Sequence, residues 1–396
     1  MKTTVAAIDF GTSKIVTLVA ENSGSRRCDI VGAGIAPYDG FLEDGWNNPE
    51  AVNDAIEASI KEAQSTTRKK IQEINVGVPG AFTRVYETVV QIDLNGTRAR
   101  VKPEHIKKLF QKAHDEVSIM GIVIHSSPAW FMVDDGKKTL EPVGLEGKSI
   151  KAMISFVIAN QFFIDDVSNR LQELQISVNG FYSTATGEAM LYLPEEDRDH
   201  TAALIDIGYL NTEVMIVEGD AMIYHHNIDN GGGYIAADLA QGLDISLSSA
   251  EQIKRQYVYG ITTVNTTYEV ASPDGQKPLS FEREKVAEIV EARVDEIAEE
   301  IKAVIDDSGV NLGEWSNVYL TGGGLAFNRG GREYLAGKLG LPVRDIPKRT
   351  AKLNSHAYSS SLGLMNLIID TMQQQEDSKS PVLKFIKSKL FGIMDY

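Results

Sequence analysis

The chain has 396 residues, 43% of them hydrophobic and 24% charged, a balance typical of a globular protein that buries a large core. Its formal net charge is −16, and an acidic surface disfavours nucleic acid and anionic lipid as partners of the folded body. The single cysteine, Cys28, excludes an internal disulfide framework. The length predicts two domains of ordinary size.

The amino-terminal sequence predicts a β-hairpin, with strands over Thr4–Ile8 and Ile15–Ala20 and a turn rich in glycine and hydroxyl residues. An amphipathic helix is expected over Ala51–Ala63, followed by a short buried strand over Ile74–Val78. Between about Ala81 and Phe163 the order of predicted strands and helices changes, which indicates a compact α+β insertion.

The insertion and the segment after it contain further predicted elements. Strands are expected over Val85–Leu94, Ile122–Ser126 and Ala152–Ile158, and helices over 103–116, Val167–Glu173 and Glu188–Leu193, with a loop over Asn179–Gly187. This alternation of strands and helices favours an α/β fold.

The second half begins with a strand–turn–strand pattern that resembles the first hairpin. Strands are predicted over Ala202–Ile207 and Val214–Val217, around the turn that starts at Asp206. Later elements are helices after Gly231–Gly233, over Ser249–Gln256, Arg283–Ile305 and Ser355–Met372, a strand over Val318–Leu320, a polar linker over Gln373–Ser380 and a tail over Pro381–Tyr396. The weak duplication indicates two related domains.

The two hairpin turns are candidates for phosphate binding. Backbone N–H groups in glycine-rich turns form concave sites for anions. The first turn would supply Gly11, Thr12, Ser13 and Lys14, and the second would supply Gly208, Asn211 and Thr212. Asp9 and Asp206 would reach Mg²⁺ through water. Either turn alone is equally well explained as a tight hairpin, but two turns at matching positions favour nucleotide binding.

Other candidate residues have ordinary structural alternatives. Gly322, Gly323 and Gly324 follow a buried strand, where missing side chains would let the backbone approach a purine or would simply form a turn. Glu251 and Lys254 lie on one helix face and could hold ribose and adenine or form a surface ion pair. Gly232 and Gly233 open a predicted helix. The sequence assigns no catalytic residue.

Several motifs resemble those of a known family. Ala7–Lys14 resembles the first phosphate motif of the FtsA family, within the superfamily of actin, DnaK-type chaperones and sugar kinases. Asn75–Gly80 is similar to the strand before that family's inserted subdomain, called 1C. The most specific resemblance lies in Ser127–Asp135 and Glu141–Gly147, which are similar to the signature of 1C itself.

The resemblance implies an actin-like, ribonuclease H-like α/β fold with two domains, an inserted 1C-type subdomain and a C-terminal amphipathic helix. The implied parts are domain 1A over 1–80, 164–200 and 354–375, 1C over 81–163, 2A over 201–241 and 310–353, 2B over 242–309, a linker over 376–380 and a membrane-targeting helix over 381–396.

The resemblance also implies a function. FtsA proteins bind ATP with Mg²⁺, polymerise on the membrane, tether the FtsZ ring to it and recruit later division proteins. On this basis we expect a peripheral protein on the cytoplasmic face of the cell membrane at the division septum, with no nucleic acid partner. Arg293 would contact the acidic FtsZ tail, although an ion pair with Glu296 is an equal alternative.

The tail carries the predicted membrane contact. Advancing about 100° per residue gives an apolar face flanked by lysines, as in helices that lie in the membrane interface. The residues assigned to this contact are Val382, Leu383, Lys384, Ile386, Lys387, Leu390, Phe391 and Ile393. Docking of the helix on the protein itself is the alternative.

The chain departs from the family pattern in the second phosphate turn. Tyr209 and Leu210 stand where the family has glycines, which predicts at most weak ATP hydrolysis. Near the first helix, Gly45-Trp46-Asn47-Asn48 replaces an acidic stretch that the family often has. Two other functions are compatible with the same fold, namely a PilM-like adaptor of pilus or secretion assembly and a sugar kinase or reactivase-type ATPase.

Overall fold

The computed structural model describes residues 3–22, 28–42, 45–96, 98–260, 267–272, 277–313, 316–347 and 355–377. The predicted membrane helix over 381–396 lies outside these residues. The chain forms two units. Unit 1 comprises residues 1–202, 215–225 and 360–396, and unit 2 comprises residues 203–214 and 226–359.

Unit 1 begins with the predicted hairpin. The first elements are β1 (Thr3–Phe10), β2 (Lys14–Asn22), β3 (Cys28–Pro37), β4 (Phe41–Leu42), β5 (Gly45–Trp46), α1 (Pro49–Thr67) and β6 (Glu73–Val78). Strands β1 and β2 are antiparallel, with Phe10 opposite Ile15. The Asn48 side chain accepts the Ala51 N–H and caps α1, and Pro49 occupies its first turn.

The insertion forms a sheet covered by one helix. Its elements are β7 (Thr83–Asp93), β8 (Ala99–Arg100), α2 (Pro103–Val117), β9 (Ile122–Val133), β10 (Glu146–Gly147) and β11 (Ser149–Ala159). The sheet has the order β7-β11-β9. Leu109 and Phe110 of α2 share a buried cluster with Ile150 and Ile154 of β11. Burial of one helix face against one sheet face is what makes this segment compact.

The next segment corrects one sequence prediction. Its elements are α3 (Gln161–Glu173), β12 (Ser177–Ser183), α4 (Thr184–Tyr192) and α5 (Glu195–Arg198). The predicted loop over Asn179–Gly187 is therefore wrong, because it covers part of a strand and the first turn of a helix. Strand β12 lies at the edge of the sheet β12-β6-β1-β2-β3. At this edge Ser177 and Asn179 stay exposed, so the strand lacks an apolar pattern.

The remaining elements follow in chain order. They are β13 (Thr201–Ile207), β14 (Thr212–Glu218), β15 (Ala221–Ile228), α6 (Gly232–Leu243), α7 (Leu247–Gln256), β16 (Thr267–Val270), β17 (Leu279–Glu282), α8 (Arg283–Asp307), β18 (Asn317–Thr321), α9 (Gly331–Leu339), β19 (Val343–Asp345) and α10 (Ser359–Asp377). The order β15-β14-β13-β18-β19 forms a second five-stranded sheet. Helix α8 buries Val286, Val290 and Val294 at the expected helical spacing. The polar linker predicted from Gln373 is helical as far as Asp377.

Helix α10 packs unusually close to its neighbours in unit 1. A Cβ atom added at Gly363 would lie 2.4 Å from the Cα atom of Glu188, and one added at Gly187 would lie 2.6 Å from the Gly363 carbonyl oxygen. Such separations leave room only for hydrogen atoms. The pair of glycines therefore lets the backbones of α4 and α10 come into direct contact.

Within unit 1, the insertion also packs against residues 215–225. The Ser155 hydroxyl of the insertion donates to the Met222 carbonyl at 2.5 Å. From outside the insertion, Arg198 of α5 donates to the Gly219 carbonyl at 2.7 Å and to Asp220 at 2.8 Å. His125 of β9 is buried, and burial lowers its pKa from 6.5 to about 4, against the opposing effect of Asp220. The histidine is therefore neutral in the folded protein at neutral pH.

The buried histidine predicts acid sensitivity. Between pH 6.5 and about 4 the unfolded chain takes up a proton at His125 that the folded chain does not, so stability falls as pH falls. Urea unfolding at pH 7 and at pH 4.5 measures how much the free energy of unfolding falls on acidification. We expect this fall to be smaller in His125→Gln than in the parent protein by on the order of 2–3 kcal/mol. The exposed His226, changed to Gln, is the control. Equal losses in the His125 variant and its parent would contradict the assignment.

Candidate functional site

The first candidate turn closes the β1–β2 hairpin of unit 1. The Gly11 N–H donates to the Lys14 carbonyl at 3.0 Å, which brings Gly11, Thr12, Ser13 and Lys14 into one tight turn. The Tyr38 hydroxyl donates to the Gly11 carbonyl at 2.7 Å. Burial, and secondly the charge of Asp9, raises the pKa of Tyr38 well above 10.0, so this phenol stays protonated and remains a donor.

Asp9 ends β1 immediately before this turn and is 4% exposed. Two hydroxyls from the start of α10 donate to its carboxylate. The Ser361 hydroxyl reaches Oδ2 at 2.6 Å, and the Ser360 hydroxyl reaches Oδ1 at 3.2 Å. Sequence analysis missed both serines, because nothing local relates residues that lie about 350 positions from Asp9.

The second candidate turn lies in unit 2 between β13 and β14. The Gly208 N–H donates to the Asn211 carbonyl at 2.8 Å and closes it. The Thr212 hydroxyl donates to the Asn230 carbonyl at 2.7 Å, and the Asn211 amide donates to the Asn227 side chain at 2.6 Å. These bonds tie the turn to the segment that leads into α6.

The amino terminus of α6 rests directly on this turn. The Gly232 N–H donates to the Gly208 carbonyl at 2.9 Å, and the Gly233 N–H donates to the Tyr209 carbonyl at 2.6 Å. The structure thus brings the predicted Gly232 and Gly233 into contact with the predicted second turn. The first two N–H groups of α6 are therefore already paired with carbonyls of the turn.

Tyr209 and Leu210 fit the turn without backbone strain. Neither is among the residues with positive φ, so the strain that a non-glycine residue would suffer in that region does not arise here. What they add is volume. The Tyr209 ring packs against Gly233. A Cβ atom added to that glycine would lie only 3.0 Å from the ring carbons Cε2 and Cζ.

The turn after β18 lies against Asp206. Gly322 has a φ of +93°, and a Cβ atom there would be 2.1 Å from the Asp206 Oδ1 atom. The Gly324 N–H donates to the Ile207 carbonyl at 2.7 Å. Only glycine allows this approach at a left-handed backbone position, so Gly322 is required by geometry. Gly323 lies between these two contacts in the same turn.

The predicted pair of α7 is buried rather than superficial. Lys254 is 3% exposed. Its ammonium group lies 2.7 Å from Glu251 Oε2 and donates to the Gly232 carbonyl at 2.9 Å. Burial lowers the pKa of Lys254, although Glu251 opposes this effect. The ammonium also lies 6.0 Å from the Tyr209 ring centroid. Asn328, which the sequence analysis missed, donates to the Lys254 carbonyl at 2.6 Å.

Arg293 of α8 has carboxylate partners within unit 2. It donates to Asp238 at 2.7 and 3.2 Å and lies 2.7 Å from Glu296. The pair with Glu296 is therefore present, and the stronger fork to Asp238 is a contact that sequence analysis missed. The hydrogen bond with Asp238 is the main cause that raises the pKa of Arg293. Its side chain keeps 21% of its surface exposed.

The residues assigned to membrane contact, from Val382 to Ile393, lie outside the described part of the chain. Among the helices described, none combines the length and the apolar character that crossing a bilayer requires.

Comparison with known proteins shows similarity to FtsA cell-division proteins. The family model "Cell division protein FtsA" matches residues 203–363, which contain the second turn, α6, α7, α8 and the Gly322 turn. FtsA from Pseudomonas aeruginosa is 25% identical over 386 residues, covering 95% of this chain and 91% of that protein. FtsA from Escherichia coli K12 is 21% identical, covering 91% of this chain and 89% of that protein. The chain is similar to FtsA cell-division proteins over most of its length.

Solved structures confirm the fold expected of an FtsA protein. The PilM–PilN type IV pilus biogenesis complex is similar with a TM-score of 0.59 at 15% identity, over 93% of this chain and 98% of that one. MreB5 of Spiroplasma citri bound to AMPPNP is similar with a TM-score of 0.56 at 12% identity, over 95% of this chain and 99% of that one. The described part of this FtsA relative thus has the α/β actin-like fold, and its curated relatives are cell-division proteins.

Proposed function

We propose that this chain is an ATP-binding cell-division protein that polymerises at the membrane, anchors the FtsZ ring and recruits later division proteins. The observation that carries the proposal is the assembly in unit 2 of the second turn, the start of α6 and the Gly322 turn around Asp206 and Lys254. Similarity to FtsA proteins supplies the biological context.

Nucleotide binding follows from the chemistry of these groups. Backbone N–H groups of the two turns would bind phosphate oxygens. Those of Gly11, Gly208, Gly232 and Gly233 are not among them, because they donate to carbonyls within the protein. Glu251 and Lys254 are the proposed ribose and adenine contacts, and the Gly322–Gly324 turn would admit the purine. Asp9 and Asp206 offer carboxylates, the ligand chemistry that Mg²⁺ prefers, and would act through water. The MreB5 structure in complex with AMPPNP supports ATP as the nucleotide.

Weak hydrolysis follows from the Tyr209 ring. In the proposed site the ring lies over Gly233 and close to Lys254, where an attacking water and the terminal phosphate need space. Hydrolysis requires reacting groups to be positioned within a fraction of an ångström, whereas binding tolerates a shifted group. An adaptor needs only the bound state. A sugar kinase needs turnover, and the 1C-type insertion and the FtsA relatives favour the adaptor.

The ATP proposal is tested by paired measurements of ATP affinity and steady-state phosphate release. We expect ATP binding by the parent protein and by the double variant Tyr209→Gly, Leu210→Gly, with faster release in the glycine form because the ring volume is gone. Tyr209→Phe keeps the ring and should match the parent. Brisk release by the parent contradicts weak hydrolysis, and no ATP binding by the parent contradicts the site.

The FtsZ contact is proposed at Arg293. An acidic peptide would have to replace Asp238 or share the guanidinium, which has five N–H donors. Its partly exposed side chain on a long helix supports such an exchange. The assignment can therefore be tested by removing Arg293 itself and by removing the competing carboxylate of Asp238.

A peptide with the sequence of the host's FtsZ tail should bind Arg293→Glu at least about tenfold more weakly than the parent, because a charge-assisted pair becomes a repulsion. Asp238→Asn should bind at least as tightly as the parent, since it removes the competitor. Lys302→Glu changes the same charge on the exposed side of α8 and serves as the control. Equal affinities for all four proteins would move the contact elsewhere.

Membrane attachment is proposed at residues 381–396. Deletion of Ser380–Tyr396 should release the protein from vesicles that contain anionic lipid, because the apolar face and the lysines are removed together. Flotation with lipid measures this. A full-length variant with Lys384 and Lys387 changed to Glu should lose most of its binding while keeping the apolar residues. If the truncated protein still floats, the assignment is wrong.

Recruitment of later proteins is proposed at a groove of unit 1. It has a volume of about 840 Å³ and is lined by parts of β9, α3 and β12. Strands β9 and β12 are both edge strands of their sheets. Edge strands offer unpaired backbone groups to an added strand, and Ile124, Ile164 and Phe181 offer apolar contacts. An extended segment of a partner is the occupant that fits this groove.

A further inference from the structure

Two of the three serine hydroxyls at the start of α10 donate to Asp9. Ser359, its first residue, donates its hydroxyl to the nearby His356 carbonyl at 2.7 Å, an ordinary local contact. The next two hydroxyls behave differently. Those of Ser360 and Ser361 each donate to a separate oxygen of Asp9, at 3.2 and 2.6 Å. Together they hold both ends of one carboxylate.

Both partners of the shorter bond are nearly inaccessible to water. Ser361 is 3% exposed and Asp9 is 4% exposed. A buried carboxylate takes its orientation from the donors around it, since little bulk water competes with them there. Adjacent donors on one rigid helix fix the plane of the carboxylate as well as its position.

The helix itself cannot easily shift. The contact between Gly363 and Glu188 described above leaves no room along α4. On the side facing β6, a Cβ atom added at Gly77 would lie 2.7 Å from Leu364 Cδ2. The serines therefore lie two to four residues from a backbone contact at Gly363 and a side-chain contact at Leu364.

We propose that Ser360 and Ser361 are positioning residues that orient the Asp9 carboxylate for water-mediated contact with the magnesium of a bound nucleotide. The role rests on the proposed ATP site. Groups that orient a metal-binding carboxylate commonly change metal affinity by 10- to 100-fold when they are removed. The serines would therefore act on Mg²⁺ dependence and leave the metal-independent part of nucleotide affinity unchanged.

The test uses the full chain and a fluorescent ATP analogue, titrated with Mg²⁺ at fixed nucleotide and separately measured in EDTA. For Ser361→Ala we expect the Mg²⁺ concentration at half-saturation to rise about tenfold, with the affinity in EDTA unchanged. Ser361→Thr restores a hydroxyl and should return to within about twofold of the parent. Ser359→Ala, which removes the neighbouring hydroxyl that faces His356, should leave the Mg²⁺ titration unchanged.

Other results overturn the proposal. If Ser361→Ala titrates like the parent, or loses affinity equally with and without Mg²⁺, the serine only supports the fold. If that variant does not fold, Ser360→Ala, which loses the longer bond, should still show a rise of about threefold, and no rise overturns the role. A parent protein that binds no nucleotide at all overturns the proposed ATP site and the positioning role together, whereas normal parent binding with an unshifted variant overturns the positioning role alone.

Discussion

Burial of the Asp9 carboxylate is the constraint on which the architecture of unit 1 depends. A carboxylate removed from water is strongly destabilising unless donors surround it. The chain supplies two of these donors from α10, at the other end of the sequence. To bring them there, α10 has to cross α4 at backbone contact, which only the glycines at 187 and 363 allow. One polar requirement at the end of β1 therefore determines where the last described helix lies.

In unit 2 the buried charge that needs partners is a cation, the ammonium group of Lys254. The Lys254 ammonium is buried, and removal of one partner from a buried charge costs far more than the pair itself contributes. Glu251 and the Gly232 carbonyl both contact it, so α7 and the start of α6 are held together. The same carbonyl belongs to the residue whose N–H contacts the second turn. Electrostatic satisfaction of one lysine thus holds the start of α6 against the second turn.

Much of the fold could be predicted from local sequence. The hairpin turns carry glycine and hydroxyl residues, and α1 and α8 repeat apolar residues at helical spacing, so their type and approximate limits followed directly. Strand β12 was missed because it lies at a sheet edge, where exposed polar residues hide the alternation. Strand β15 and the extension of α10 to Asp377 were also missed, since tertiary pairing and helix continuation override weak local preferences.

For the candidate site as well, local motifs could be predicted from the sequence, whereas contacts between distant residues could not. Turns of glycine and hydroxyl residues are local features, and the motifs around Asp9, Asp206 and Gly322 could be named from sequence. The partners of Asp9, Arg293 and Lys254 could not be named. Ser361, Asp238 and Asn328 are common residue types, and their importance comes from distances that the chain sets only after folding.

Helix α10 spans 19 residues, from Ser359 to Asp377, and at 1.5 Å per residue it measures about 28 Å. Hydroxyl groups in its first turn donate to Asp9, and its last residue is Asp377. An α-helix is stiff along its axis because each peptide is hydrogen-bonded to the next turn. A displacement at the Asp377 end of α10 would therefore be transmitted to the Asp9 carboxylate through one continuous helix.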